Sequence, residues 1–288
     1  MPSTHKNSMD KIEQEESTIS FGRSLFVAVI ALFCILFVPE LASSIFRTFM
    51  TPIWGVFIGQ VFATCLALYI LYCGLLHAPE TLKKWIASPK KPWVAPALVI
   101  GFPLSLLTLF WSLITLKIFS LAGPAVSQAI AAAFFDTTVS LSKSTSLSFC
   151  VLLFSVFVVP LMEEFLFRGY LLSALLRKWR PSIAVIVVSG LFAILHSEWI
   201  AHFILGLLLG AASLRYGSLL PSIFAHISLN FFAFFIPIVV PVLQSSANVQ
   251  KILPTAMVWT IPAALFLSLA ALLMIKVLLR THRSTFSS

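Results

Sequence analysis

Charge is what this sequence has least of. Asp, Glu, Lys and Arg make up only 10% of its 288 residues against 59% apolar types, and the mean hydropathy is +1.02. A water-soluble domain typically carries about 25% charged and about 45–50% apolar residues, so the polar surface needed to face water is missing and soluble enzyme classes are excluded. Cysteine is scarce too. Cys34, Cys65, Cys73 and Cys150 all fall inside apolar stretches without ligand spacing, which excludes a disulfide framework or a zinc ribbon; they read as small buried hydrophobes. Also absent are a Gly-rich phosphate loop, a Ser nucleophile elbow and a His-Glu-x-x-His zinc helix. No basic-aromatic surface pattern occurs, so nucleic acid is not an expected partner. Residues 1–23 mix Lys6, Lys11 and Arg23 with Asp10, Glu13, Glu15 and Glu16, which does not match a cleavable signal peptide, and the first apolar segment is expected to be retained.

What is present in abundance is the hydrophobic run. Candidate spans lie near 24–46, 53–77, 93–120, 146–176, 183–199, 201–215, 218–243 and 257–279. The excess of 19 Lys and Arg over 10 Asp and Glu reports topology. With the N-terminus inside, the cytoplasmic segments collect Lys6, Lys11, Arg23, Lys83, Lys84, Lys90, Lys91, Arg177, Lys178, Arg180, Arg215, Lys276, Arg280 and Arg283, whereas the other side holds Arg47, Lys143 and Lys251. Merging the fifth and sixth spans would move the basic C-terminus to the wrong side. The expected fold is therefore all-α, a polytopic membrane bundle of about eight transmembrane helices in the lipid bilayer, with both termini cytoplasmic. Its expected divisions are a polar cytoplasmic segment 1–23, three helices and an outer loop over 24–145, a catalytic core 146–243, and a last helix with a basic tail over 244–288. The outer loop is expected to hold a short interfacial helix. Pro103, Pro160, Pro221, Pro237 and Pro241 fall in or at the ends of spans as kinks, and Gly206 and Gly210 form a close-packing motif.

Ionisable residues inside a bilayer cost about 2.5–3.5 kcal/mol each and are functional candidates by default. Here they cluster in the second half: Glu163, Glu164 and Arg168 on span four, His196 on span five, His226 and Asn230 on span seven. Glu164 and Arg168 are four apart and share a helix face, which predicts an ion pair; Glu163 points about 100° away. His226 and Asn230 also share a face. Counted from the cytoplasmic ends at about 1.5 Å per residue, Glu163 and His196 lie roughly 21 Å deep, Asn230 about 20 Å and His226 about 14 Å. A carboxylate beside two imidazoles and an amide can hold and deprotonate a water molecule, with Glu as general base and His or Asn as metal ligands or oxyanion donors. That is a hydrolase constellation.

The ordered motifs Glu163-Glu164-x-x-x-Arg168, Phe192-x-x-x-His196 and His226-x-x-x-Asn230 resemble those of the CAAX protease and bacteriocin-processing (CPBP, also called ABI) family of intramembrane endopeptidases, over about Ser146 to Val242. The resemblance implies an eight-helix bundle with its site in a cavity within the membrane. It implies that Glu163 activates the water, that His196, His226 and Asn230 bind the water, a metal or the oxyanion, and that Glu164 and Arg168 support them, with Phe192 in the wall. The substrate expected is a membrane-associated peptide or protein, a CAAX tail or a bacterial peptide precursor. His196, His226 and Asn230 would be a poor ligand set for a divalent metal such as zinc unless Glu163 joined them, so a metal-free, glutamate-type reaction is favoured. A non-catalytic immunity or scaffold protein of the same fold is the alternative, and a proton-coupled transporter is a third reading that the lack of inverted repeats disfavours. Glu198 and His202 mimic a metal motif with His196 but are expected on a solvated turn. Phe167 is read as a wall residue, and Trp54, Trp93, Trp179, Trp199 and Trp259 as interfacial anchors.

Overall fold

The structure is a computed structural model that describes residues 20–46, 48, 52–76, 78–131, 145–196, 198–240 and 246–283. Lys6, Lys11, Arg47, Lys143 and Pro241 of the topology argument lie outside those residues. Among the described residues there are helices and no strand, so the all-α expectation holds. Among the described residues, six helices are long and apolar enough to cross a membrane, within Phe21–Ile45, Trp54–Leu75, Val94–Ser120, Phe149–Leu176, Trp199–Tyr216 and Ala247–Leu279. The chain is an integral, multi-pass membrane protein. The count of eight spans is not confirmed: the apolar helix Pro181–Ile194 has only 14 residues, whereas Leu220–Val239 has 20. At about 1.5 Å per residue a helix of 14 residues reaches about 21 Å, less than the roughly 30 Å hydrocarbon core.

The chain divides into two compact units. One comprises residues 1–90, 162–184 and 216–220, the other 91–161, 185–215 and 221–288.

In the first unit, helices Phe21–Phe46 and Pro52–Leu75 pack through small residues. Ala28, Ala31, Ala63 and Ala67 are buried, whereas Phe26, Phe33 and Tyr69 point outward. This is the membrane pattern, in which close backbone approach replaces a hydrophobic driving force. A Cβ at Gly59 would stand 2.9 Å from backbone atoms of Pro39 and Ser43, so only glycine permits this approach. The charged stretch after the second helix forms the short helix Pro79–Ile86, which the hydropathy pattern did not reveal. Proline opens it, Glu80 sits in its first turn, and Lys83 and Lys84 lie in its last, as the helix dipole favours. Its Trp85 is buried, and the Trp85 carbonyl accepts from the Leu219 amide at 2.8 Å and the Ser218 hydroxyl at 3.0 Å.

In the second unit, helix Val94–Ser120 packs on the last helix, Ser246–Arg283, through Leu113, Leu116, Val249, Leu253 and Met257. That last helix begins well before the expected 257 because Asn248, Gln250 and Lys251 lower the local hydropathy without breaking the helix, and it carries Pro254 and Pro262 inside it. The expected short helix of the outer loop is present at Pro124–Ala131. Gly206 and Gly210 do pack closely: added Cβ atoms would stand 2.9 Å from Ser189 and 3.0 Å from Val185.

Two orientation readings are corrected. Cys65 is exposed, not buried, and Trp93 is buried edge-on against Phe224 at 5.2 Å rather than anchored at an interface. Helices apolar all round carry little periodicity to say which side faces inward.

Candidate active site

The helical run 145–176 carries the carboxylate motif and is not uniform. It widens into π-helix at Phe154–Val158, returns to α-helix at Val159–Glu164, and widens again at Phe165–Leu172. Pro160 accounts for the first widening, because its ring clashes with the carbonyl four residues back, that of Val156, which lies inside the widened turn. The Val159 amide then donates to the Phe154 carbonyl, five residues back. The Ser155 carbonyl would next look to residue 160 in that register, and proline has no N–H to give. Asn230 supplies the missing donor, its Nδ2 reaching the Ser155 oxygen at 2.9 Å. One N–H of Asn230 is thereby engaged in holding the deformed helix, leaving its second N–H and its Oδ1 for other work.

In the first unit, Arg168 Nη1 donates to Glu164 Oε1 at 2.8 Å, with both side chains fully buried. Glu163, next in the chain to this buried pair, is only half-buried. Around the pair the structure is tight. The Trp85 ring lies where a Cβ on Gly169 would come within 2.9 Å, and Trp85 meets Tyr170 edge-on at 5.2 Å. The Tyr170 hydroxyl donates to the Leu71 carbonyl. Phe167, read as a wall residue, is buried.

The imidazoles stand in the second unit. Helix Pro181–Ile194 ends just past Phe192, and the His196 amide turns back to the Ala193 carbonyl at 3.0 Å, leaving the Phe192 carbonyl without a backbone donor from that residue. The His196 ring takes that place, with Nδ1 2.8 Å from the Phe192 oxygen. A carbonyl only accepts, so Nδ1 carries a proton, and Nε2 is the nitrogen that can present a lone pair. The four-residue spacing of Phe192 and His196 is thus a helix C-cap that also fixes a tautomer. Phe192 is fully buried and packs against His196 at 4.6 Å and edge-on against His226 at 5.9 Å. His226 is buried on helix Leu220–Val239, one turn before Asn230. That helix is seated on Val94–Ser120 by the Ser228 hydroxyl donating to the Leu98 carbonyl at 2.5 Å and by Phe102 against Phe232 at 5.3 Å.

The reading of Glu198 and His202 as a solvated turn is wrong. Their side chains are only 16% and 13% exposed. The His202 ring stacks on His196 with centroids 3.9 Å apart and planes 13° apart, and it meets Phe192 at 5.9 Å. Hydropathy placed this pair at a span end. The turn between helices Pro181–Ile194 and Trp199–Tyr216 instead brings His202 back onto the preceding histidine. The sequence signal was the metal-like grouping of His196, Glu198 and His202, and the helix break within it concealed which way His202 faces.

The structure therefore sets Phe192, His196, His202 and His226 in one cluster with Asn230 further along the same helix as His226, and pairs Glu164 with Arg168. These side chains do not fit a zinc centre. Among the described residues no three His, Cys, Asp or Glu side chains are grouped to hold a metal. The His196 and His202 rings lie in nearly parallel planes with centroids 3.9 Å apart, so their in-plane lone pairs do not converge on one point, and a zinc centre takes at least three converging protein ligands.

No curated protein and no solved structure gives a significant match to the chain. Residues 145–232, under a third of the chain but the stretch that holds all three motifs, match the family model described as type II CAAX prenyl endopeptidase Rce1-like, in agreement with the CPBP resemblance of the motifs.

Proposed function

We propose that this protein is an intramembrane endopeptidase that hydrolyses a peptide bond of a membrane-associated substrate. The observation that carries the proposal is the ordered motif set within the family-matched segment, with His196 and His226 gathered on Phe192. Glu163 is the general base. It takes a proton from a water molecule whose oxygen bonds to the scissile carbonyl carbon, and His196 Nε2 orients that water by accepting its other proton in a hydrogen bond. The developing oxyanion takes hydrogen bonds from His226 and from the remaining N–H of Asn230. As the carbon–nitrogen bond breaks, Glu163 returns the proton to the leaving amine. Glu164 and Arg168 neutralise each other and fix the helix that carries the base.

The substrate class is a membrane-anchored peptide, with a prenylated CAAX tail as the first candidate because that is what the matched family's description names. Both termini are assigned to the cytoplasmic side, which tags fused to either end and probed in sealed vesicles would check: protection of one tag only overturns the topology.

The decisive experiment is proteolysis by purified protein against prenylated and unprenylated membrane-anchored peptides. Wild type cleaves, and Glu163→Gln, which keeps the shape but not the base, loses about 100-fold or more of the rate while still inserting and folding. Undiminished cleavage by Glu163→Gln overturns the general-base assignment.

A further inference from the structure

Within the second unit a cavity of about 260 Å³ adjoins the histidine cluster. Its polar wall is made by Ser105, Thr108 and Ser112 of helix Val94–Ser120 and by Glu198, His202 and Asn230. The direction of the hydrogen bonds around it decides what it can take. Ser105 donates its hydroxyl proton to the Phe102 carbonyl at 2.7 Å, Thr108 to Ser105 at 2.8 Å and Ser112 to Thr108 at 2.9 Å. All three hydroxyls are thus turned back on their own helix and keep only lone pairs to offer. His202 Nδ1 lies 3.1 Å from the Glu198 carbonyl, so it carries the proton and Nε2 is an acceptor. Glu198 adds a carboxylate. Asn230 has one N–H engaged at Ser155.

The wall is rich in acceptors, poor in donors and carries one negative charge. A prenyl chain there would leave those groups without partners, at about 1–3 kcal/mol for each buried one, and an anion would be repelled by Glu198. A cationic donor satisfies them. The acceptors come from three helices and a turn rather than from one plane, which suits the three-way donation of an ammonium better than a planar guanidinium fork. Leu109, Leu229, Ala233 and Ile236 complete the lining and offer an apolar wall for a methylene stem.

We propose that this cavity is a recognition subsite for a lysine side chain of the peptide substrate. The inference rests on the endopeptidase reading, because Asn230 belongs both to the cavity and to the proposed catalytic set, and His202 is stacked on His196. A peptide bond held at His196 and Asn230 has a neighbouring residue within reach of the cavity.

The test separates the subsite from the chemistry. Fluorescent membrane-anchored peptides that carry lysine, norleucine or glutamate at each position around the cleavage point are bound to the Glu163→Gln protein in detergent and read by anisotropy. At one position lysine binds about ten-fold tighter than norleucine, and glutamate weaker than either. Adding Glu198→Gln or, independently, Thr108→Val brings the lysine-to-norleucine ratio toward one. Two variants on separate helices guard against one that fails to fold. Equal binding of lysine and norleucine at every position overturns the subsite. Cleavage of the same peptides by wild type without lysine selectivity also overturns it and leaves the peptidase reading intact, whereas lysine-selective binding without cleavage of any peptide leaves the subsite and overturns the peptidase.

Discussion

Arg168→Met would leave the Glu164 carboxylate fully buried without the guanidinium now 2.8 Å away. Breaking a buried ion pair by removing one partner typically costs about 3–5 kcal/mol, because the remaining charge keeps its desolvation penalty, whereas replacing both partners is often close to neutral. Thermal unfolding in detergent should therefore show a large loss for Arg168→Met and recovery of most of it in Glu164→Gln/Arg168→Met. A double variant as unstable as the single one would show that the pair is held by more than mutual neutralisation. At this scale the sequence was informative wherever four-residue spacing sufficed: Glu164 with Arg168, and Phe192 with His196, both meet across one helical turn. It misplaced His202, whose partner is reached through a helix break, and it misjudged Cys65 and Trp93, whose facing depends on neighbours that an all-apolar helix does not announce.

At the scale of the element, Pro160 and Asn230 form one device although they stand 70 positions apart in sequence. The proline forces the widened turn, the turn strands the Ser155 carbonyl, and the asparagine answers it. Asn230→Ala should cost about 1–3 kcal/mol, the usual penalty for a buried carbonyl left without a donor. In a Pro160→Ala background, where residue 160 regains its N–H, the same change should cost much less. A double-mutant cycle on unfolding temperatures reads this coupling, and additive effects would refute it. The π-helical stretches also explain what counting residues could not provide. A depth reckoned at about 1.5 Å per residue assumes regular α-helix, and the run from 145 to 176 is not regular on either side of Glu163. The existence of the apolar segments was readable from hydropathy; the short Pro79–Ile86 helix was not, because it is amphipathic and its one buried aromatic, Trp85, sits among charges.

For the molecule as a whole, Pro181–Ile194 stands out among the described apolar helices: its 14 residues are too few to cross a bilayer, whereas Leu220–Val239 has 20. That short helix carries Phe192 and leads directly into His196. A hydrophobic segment shorter than the surrounding hydrocarbon is accommodated by thinning of the lipid beside it, at a cost of fractions of a kcal/mol per ångström. Hydrolysis consumes water, and thin lipid is where water reaches deepest. Vesicles built from short-chain lipids should therefore support faster cleavage than vesicles built from long-chain lipids, with substrate affinity changing less than turnover; a rate indifferent to chain length would break the link. Membrane thickness then acts on the proposed hydrolysis as a reactant supply, so that the lipid composition of the compartment sets its rate.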